Sequence, residues 1–122
     1  MAPGLDESVL QASLARNVHY IPGVVTPTEV ARALSLKCRL LKFFPAEVSG
    51  GVPMLKALAS PFAHTGVKFV PTGGITAATL PAYLALPTVA AVGGSWMAER
   101  DLIAQQAWDK ITSLTAEAMK NV

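Results

Sequence analysis

Glycine-centred breaks recur along this chain at Gly23, Gly50-Gly51, Gly73-Gly74 and Gly93-Gly94. A short apolar run precedes each of them, at residues 18–21, 40–44, 67–70 and 89–92. Each break is followed by a stretch with helical character. Apolar runs alternating with helical patterns at this spacing predict βα units, and βα units build parallel sheets. Parallel strands lie buried on both faces. The composition agrees, with 52% hydrophobic and only 15% charged residues.

The helix starts can be read individually. Thr26-Pro27-Thr28-Glu29 forms a capping box, with Thr26 as N-cap, Pro27 at the first helical position and Glu29 reaching back. Another helix follows Gly50-Gly51 through Met54, Leu55 and Leu58, and a short one covers Pro81-Ala82-Tyr83-Leu84. Trp108, Ile111, Leu114 and Ala118 share one helical face, on which Trp108 is expected to anchor the core. Ahead of the first strand, Asp6 caps a helix carrying Val9, Leu10 and Leu14. The order is one helix and then four βα units, in a single domain of 122 residues. Four such units make half of a TIM-type (βα)8 barrel of about 250 residues, although small complete α/β folds have the same count.

Several function classes fall away. A net charge of +2 with no Lys/Arg run is no nucleic-acid footprint. No apolar window is long enough for a membrane span. Nothing at the N-terminus reads as a signal peptide, and the single Cys38 forms no internal disulfide, so a cytoplasmic setting is expected.

Chemistry concentrates in Arg39-Leu40-Leu41-Lys42-Phe43-Phe44-Pro45. On a strand, Leu40, Lys42 and Phe44 share a face, opposite Arg39, Leu41 and Phe43. Apolar neighbours disfavour an ammonium, and a neutral amine is what carbonyl addition needs. The other reading is a lysine extending from a strand end to solvent. Pro71-Thr72-Gly73-Gly74-Ile75 and Val92-Gly93-Gly94-Ser95-Trp96 each follow an apolar run. Their backbone N–H groups and the Ser95 hydroxyl suit an anion, and tight turns are the alternative. His19 and His64 lack metal-ligand spacing and read as structural. Glu47 reads as a loop charge and Cys38 as a buried strand residue.

Lys42-Phe43-Phe44-Pro45-Ala46-Glu47, Gly50-Gly51, Pro71-Thr72-Gly73-Gly74-Ile75 and Gly93-Gly94-Ser95-Trp96, taken in order, closely resemble the bacterial KDPG/KHG aldolase family. Ala2-Pro3-Gly4-Leu5 and Ile21-Pro22-Gly23 match it too. The resemblance implies an eight-stranded βα barrel assembled as a homotrimer. It also implies a class I (Schiff-base) aldolase that needs no cofactor and no metal. The family cleaves 2-keto-3-deoxy-6-phosphogluconate to pyruvate and glyceraldehyde 3-phosphate, and some members act on 4-hydroxy-2-oxoglutarate. It further implies that Lys42 attacks the keto carbon, with Phe44 beside the imine. Thr72, Gly73 and Gly74 would lie near the carboxylate and substrate chain, and Gly93, Gly94 and Ser95 would bind phosphate.

The family carries Ala-Pro-Gly at the end of its fourth strand, and here it stands at residues 2–4. Residues 1–17 therefore correspond to the end of the fourth unit and 18–122 to units five to eight, a parallel half-barrel. The family's second-strand glutamate, a proton shuttle, and its carboxylate-binding arginine have no counterpart. The expectation is a truncated, impaired aldolase, either a homo-oligomer or paired with a missing N-terminal half. The alternatives are a non-catalytic self-associating half-barrel and a pseudoenzyme that binds sugar phosphate.

Overall fold

In a computed structural model that describes residues 1–120, three short parallel strands lie side by side in chain order. They are β1 (Gly23–Val24), β2 (Leu40–Phe43) and β3 (Lys68–Pro71). Gly23 pairs with Lys42 and Val24 with Phe43, while Leu40, Leu41, Lys42 and Phe43 pair with Lys68, Phe69, Val70 and Pro71. Helix α1 (Glu7–Ala15) precedes the sheet, α2 (Pro27–Ser35) connects β1 to β2, and α3 (Gly51–Ala59) begins the connection from β2 to β3. A 3-10 turn at Ser60–Thr65 completes that connection. Three helices follow: α4 (Leu80–Leu84), α5 (Arg100–Ala104) and α6 (Trp108–Met119). The fold is α/β with parallel strands, as the glycine rhythm predicts.

The outer strands are shorter than their apolar runs, for identifiable reasons. The expected strand at 18–21 is instead Gly23–Val24, and Val18 is exposed. Pro22 has no N–H to donate to a ladder; its carbonyl accepts from the Lys42 N–H at 2.7 Å. Residues 2–4 run beside 21–23, with Ala2 N–H donating to Ile21 O at 3.0 Å and Gly23 N–H to Gly4 O at 3.2 Å. That approach requires glycine, because a Cβ at Gly23 would stand 2.1 Å from the Pro3 carbonyl oxygen.

The expected strand at 89–92 is reduced to isolated bridges, Phe69 with Val89 and Thr72 with Gly93. Ala90 and Ala91 are exposed, so this segment has only β3 as a neighbour. A strand with one neighbour makes half its ladder.

The core lies between the sheet and its helices. Leu41, Phe43 and Phe69 are fully buried and meet Val30 and Ala33 of α2, Leu55 and Leu58 of α3, and Tyr83 of α4. Each large apolar side chain buried this way contributes about 1.5–3 kcal/mol. No charged side chain is buried among the described residues. Cys38 is buried but lies just before β2 rather than in it, and burial pushes its thiol pKa up.

The helix caps form as read. Thr26 Oγ1 accepts from the Glu29 N–H while the Glu29 carboxylate accepts from Val25 and Thr26, and Asp6 accepts from the Ser8 and Val9 amides. One expectation fails in α6: Trp108 is 56% exposed rather than anchoring the core. It is the first residue of its helix, and only Ala118, in the last turn, is buried.

Candidate functional site

The alternation of β2 sets the site. Leu41 and Phe43 point into the core, leaving Leu40 and Lys42 half-buried on the opposite face. Lys42 Nζ lies 4.1 Å from the centroid of the Phe44 ring, close enough for a cation–π contact whenever the amine is charged. Phe44 thus packs beside the Lys42 amine, although it is not among the residues that line the cleft around it.

Lys42, Thr72, Gly73, Gly74, Gly93, Gly94 and Ser95, with Met1, line one cleft of about 270 Å³. The lysine and the two later glycine turns thus meet at the C-terminal ends of β2 and β3, where parallel folds place ligands, whereas Gly50-Gly51 and Glu47 lie elsewhere. Two links hold them there. The Thr72–Gly93 bridge joins the two glycine turns, and Thr72 N–H donates to Phe43 O at 3.0 Å, tying the first turn to the lysine strand.

The glycines are needed for different reasons. Gly73 (φ 105°) and Gly74 (φ 78°) adopt left-handed backbone that other residues resist. At Gly94 the limit is space, since a Cβ there would lie 1.6 Å from the Trp96 ring. Trp96 was not singled out for any role, yet it floors this turn.

Glu47 stands in the loop after β2, as expected of a loop charge, but it has a side-chain partner. Its Oε1 accepts from the Tyr83 hydroxyl at 2.6 Å, and Tyr83 is fully buried. Burial first, and the neighbouring carboxylate second, push the Tyr83 phenol pKa far above its usual range. The Glu47 carboxylate lines a separate cleft, with Gly50, Gly51, Thr79 and Tyr83. Sequence reading missed this pair because 36 positions separate its members.

His19 and His64 are both exposed. Among the described residues no three His, Cys, Asp or Glu side chains gather to hold a metal ion, and no helix is long and apolar enough to cross a membrane. A larger cleft, about 470 Å³, lies between α1 and the start of β2. It gathers neither the lysine nor the glycine turns after β3 and sits at the opposite strand end, so the smaller cleft is the candidate site.

The fold and cleft define an α/β protein whose single cleft lysine stands among glycine turns at parallel strand ends. Residues 1–114 match the sequence profile of KDPG and KHG aldolase. The chain is 42% identical over its whole length to 2-dehydro-3-deoxy-phosphogluconate aldolase of Treponema pallidum, covering 57% of that protein. It is 41% identical to KHG/KDPG aldolase of Escherichia coli K12, over 98% of this chain and 55% of that protein. A KDPG aldolase from Legionella pneumophila, solved with pyruvate captured at low pH as a covalent carbinolamine intermediate, superposes with a TM-score of 0.86. That match has 42% identity and covers 93% of this chain and 54% of the other. The chain belongs to the KDPG and KHG aldolase family. It spans about half the length of the curated relatives it matches.

Proposed function

We propose that this chain carries the imine-forming and anion-binding part of a class I aldolase, a carbon–carbon lyase acting on 2-keto-3-deoxy-6-phosphogluconate. The observation that carries the reading is the convergence of Lys42 with both glycine turns and Ser95 around one cleft. The Lys42 amine adds to the keto carbon, giving a carbinolamine that loses water to become an imine. The protonated imine then accepts the electron pair released as the C3–C4 bond breaks. Loss of the C4 hydroxyl proton frees glyceraldehyde 3-phosphate, and the enamine is protonated and hydrolysed to pyruvate.

Phe44 walls the imine. Thr72 and the Gly73–Gly74 amides face the keto-acid end, and Gly93, Gly94 and Ser95 hold the phosphate. Backbone N–H groups at glycine turns suit this task because they approach an anion closely without a side chain intervening. No carboxylate lines the cleft among the described residues, and Glu47 faces elsewhere. The proton shuttle is therefore assigned to no residue of this chain, and a missing proton-transfer group costs about 10²–10⁴-fold in rate.

The same reading places residues 1–17 at the end of a fourth βα unit and 18–122 in units five to eight of a barrel. The segments that run beside β1 and β3 without becoming full strands support it. It also carries self-association, supported by the apolar side chains exposed on both flanks.

Incubation with pyruvate, borohydride reduction and peptide mass mapping tests the assignment. The expected result is a single adduct at Lys42 that Lys42→Ala abolishes. Labelling spread over the exposed lysines, or unchanged in Lys42→Ala, overturns it.

A further inference from the structure

We propose that Glu47 and Tyr83 are a positioning pair for the Lys42 cleft, fixing the turn after β3 against the loop after β2; the inference rests on the aldolase reading above.

Those two loops meet beside the site: Phe44, which contacts the Lys42 amine, is on one, and Gly73–Gly74, which line the cleft, are on the other, with the Phe44 ring against Gly73. Two backbone bonds join them: Ala46 N–H donates to Thr72 O at 2.9 Å, and Glu47 N–H donates to Gly73 O at 3.0 Å. Two bonds alone leave the glycine turn free to rock, because left-handed glycines are conformationally permissive.

The Glu47 side chain removes that freedom. A Cβ at Gly74 would stand 2.9 Å from Glu47 Cβ and 3.0 Å from its Cγ, so the Glu47 stem lies directly against the turn. Its carboxylate, in turn, is held at 2.6 Å by the Tyr83 hydroxyl. Tyr83 belongs to α4, is 0% exposed and sits in the main core cluster. The chain of contact therefore runs from rigid core, through Tyr83 and Glu47, to the glycines that face Lys42. The α3 start joins the same knot, with Gly51 N–H donating to Ala46 O at 3.0 Å and Gly51 packed beside the Tyr83 hydroxyl and the Glu47 carboxylate.

This arrangement gives Glu47 a role distinct from acid–base chemistry. Its carboxylate opens into the cleft of Gly50, Gly51, Thr79 and Tyr83 and not into that of Lys42. It acts through the turn and never touches substrate. A keto acid held by amides that must stay aligned is bound more weakly when the turn loosens, while the amine itself remains competent.

The test uses the full chain and compares wild type with Tyr83→Phe, Glu47→Ala, Glu47→Gln and the Tyr83→Phe/Glu47→Ala double variant. Borohydride trapping across a pyruvate series gives the half-saturating concentration and the plateau at Lys42. Tyr83→Phe and Glu47→Ala should each raise half-saturation by roughly ten-fold, the loss expected of a hydrogen bond to a charged group. The plateau should hold, and the double variant should be no worse than the poorer single. Glu47→Gln keeps an acceptor oxygen and should restore most of the affinity.

Amide hydrogen exchange is read in parallel. The Ala46 and Glu47 amides should exchange faster in Tyr83→Phe and Glu47→Ala, while the Lys42 and Thr72 amides in the strand ladder do not. Unchanged half-saturation in both single variants, or a Glu47→Gln as damaged as Glu47→Ala, overturns the proposal. Should wild type trap no pyruvate at Lys42, the aldolase reading falls, and exchange alone decides the pairing: faster exchange supports it, unchanged exchange overturns it.

Discussion

The centre of the sheet and its flanks were written in the same kind of sequence but folded differently. Around β2 and β3, Leu41, Phe43, Leu55 and Phe69 are fully buried and the ladder runs unbroken over four residue pairs. At the flanks, Val18 of the first apolar run is 56% exposed, and so are Leu14 on α1 (60%) and Trp108 on α6 (56%). The difference is one of neighbours. β2 has a strand on each side and helices packed over it, whereas β1 has β2 on one side and only residues 2–4 on the other, and the 89–93 segment bonds to β3 alone. An apolar run becomes a buried strand only where something covers both its edges and its faces. The candidate site follows the same division, since its lysine stands on the strand that has both neighbours.

The largest test of this contrast is truncation of a large side chain in each region. Phe69→Ala should cost about 3–5 kcal/mol, because a fully buried aromatic leaves a cavity that collapses poorly. Trp108→Ala should stay within about 0.5 kcal/mol, as for other exposed positions. Urea melts monitored by circular dichroism decide it. Equal losses would mean that Trp108 is covered in solution and that centre and flank do not differ.

A related test asks whether the flanks find cover from other copies. Exposed contiguous apolar surface marks interaction sites, so light scattering over a dilution series should show a molar mass above 12.8 kDa that falls as the protein is diluted. Val18→Glu should shift that equilibrium toward the single chain. A cooperative, well-folded monomer at micromolar concentration would remove the need for any partner at the flanks.

The smallest expected effect lies at the α2 cap, which connects flank to centre. Thr26→Ala should cost about 1 kcal/mol. Glu29 adds a pH signature. Burial pushes its pKa up, but bonds from the Val25 amide and from the Thr26 hydroxyl and amide together outweigh it and leave the pKa below the usual glutamate range. A depressed carboxyl contributes stability above its unfolded pKa and loses it as pH falls through the folded value. Melting temperatures should therefore fall less between neutral pH and pH 3 in Glu29→Gln than in wild type. Parallel acid limbs for the two would show that this cap contributes no linkage.

The sequence by itself determined the βα order, the helix starts at Asp6 and Thr26, and the motif residues Lys42, Thr72, Gly73, Gly74, Gly93, Gly94 and Ser95. These are local properties: capping, left-handed glycine backbone and strand alternation act over a few residues and can be read along the chain. Tertiary structure decided what depends on distant partners. It placed the first strand at Gly23–Val24, beyond the apolar run at 18–21, reduced 89–92 to bridges for want of a second neighbour, and left Trp108 in solvent because its helix meets the core only in its last turn. It also joined Glu47 to Tyr83 across 36 positions. Hydrogen bonds and burial of that kind are set by which surfaces the completed fold brings together, and no spacing within a helix or strand encodes them.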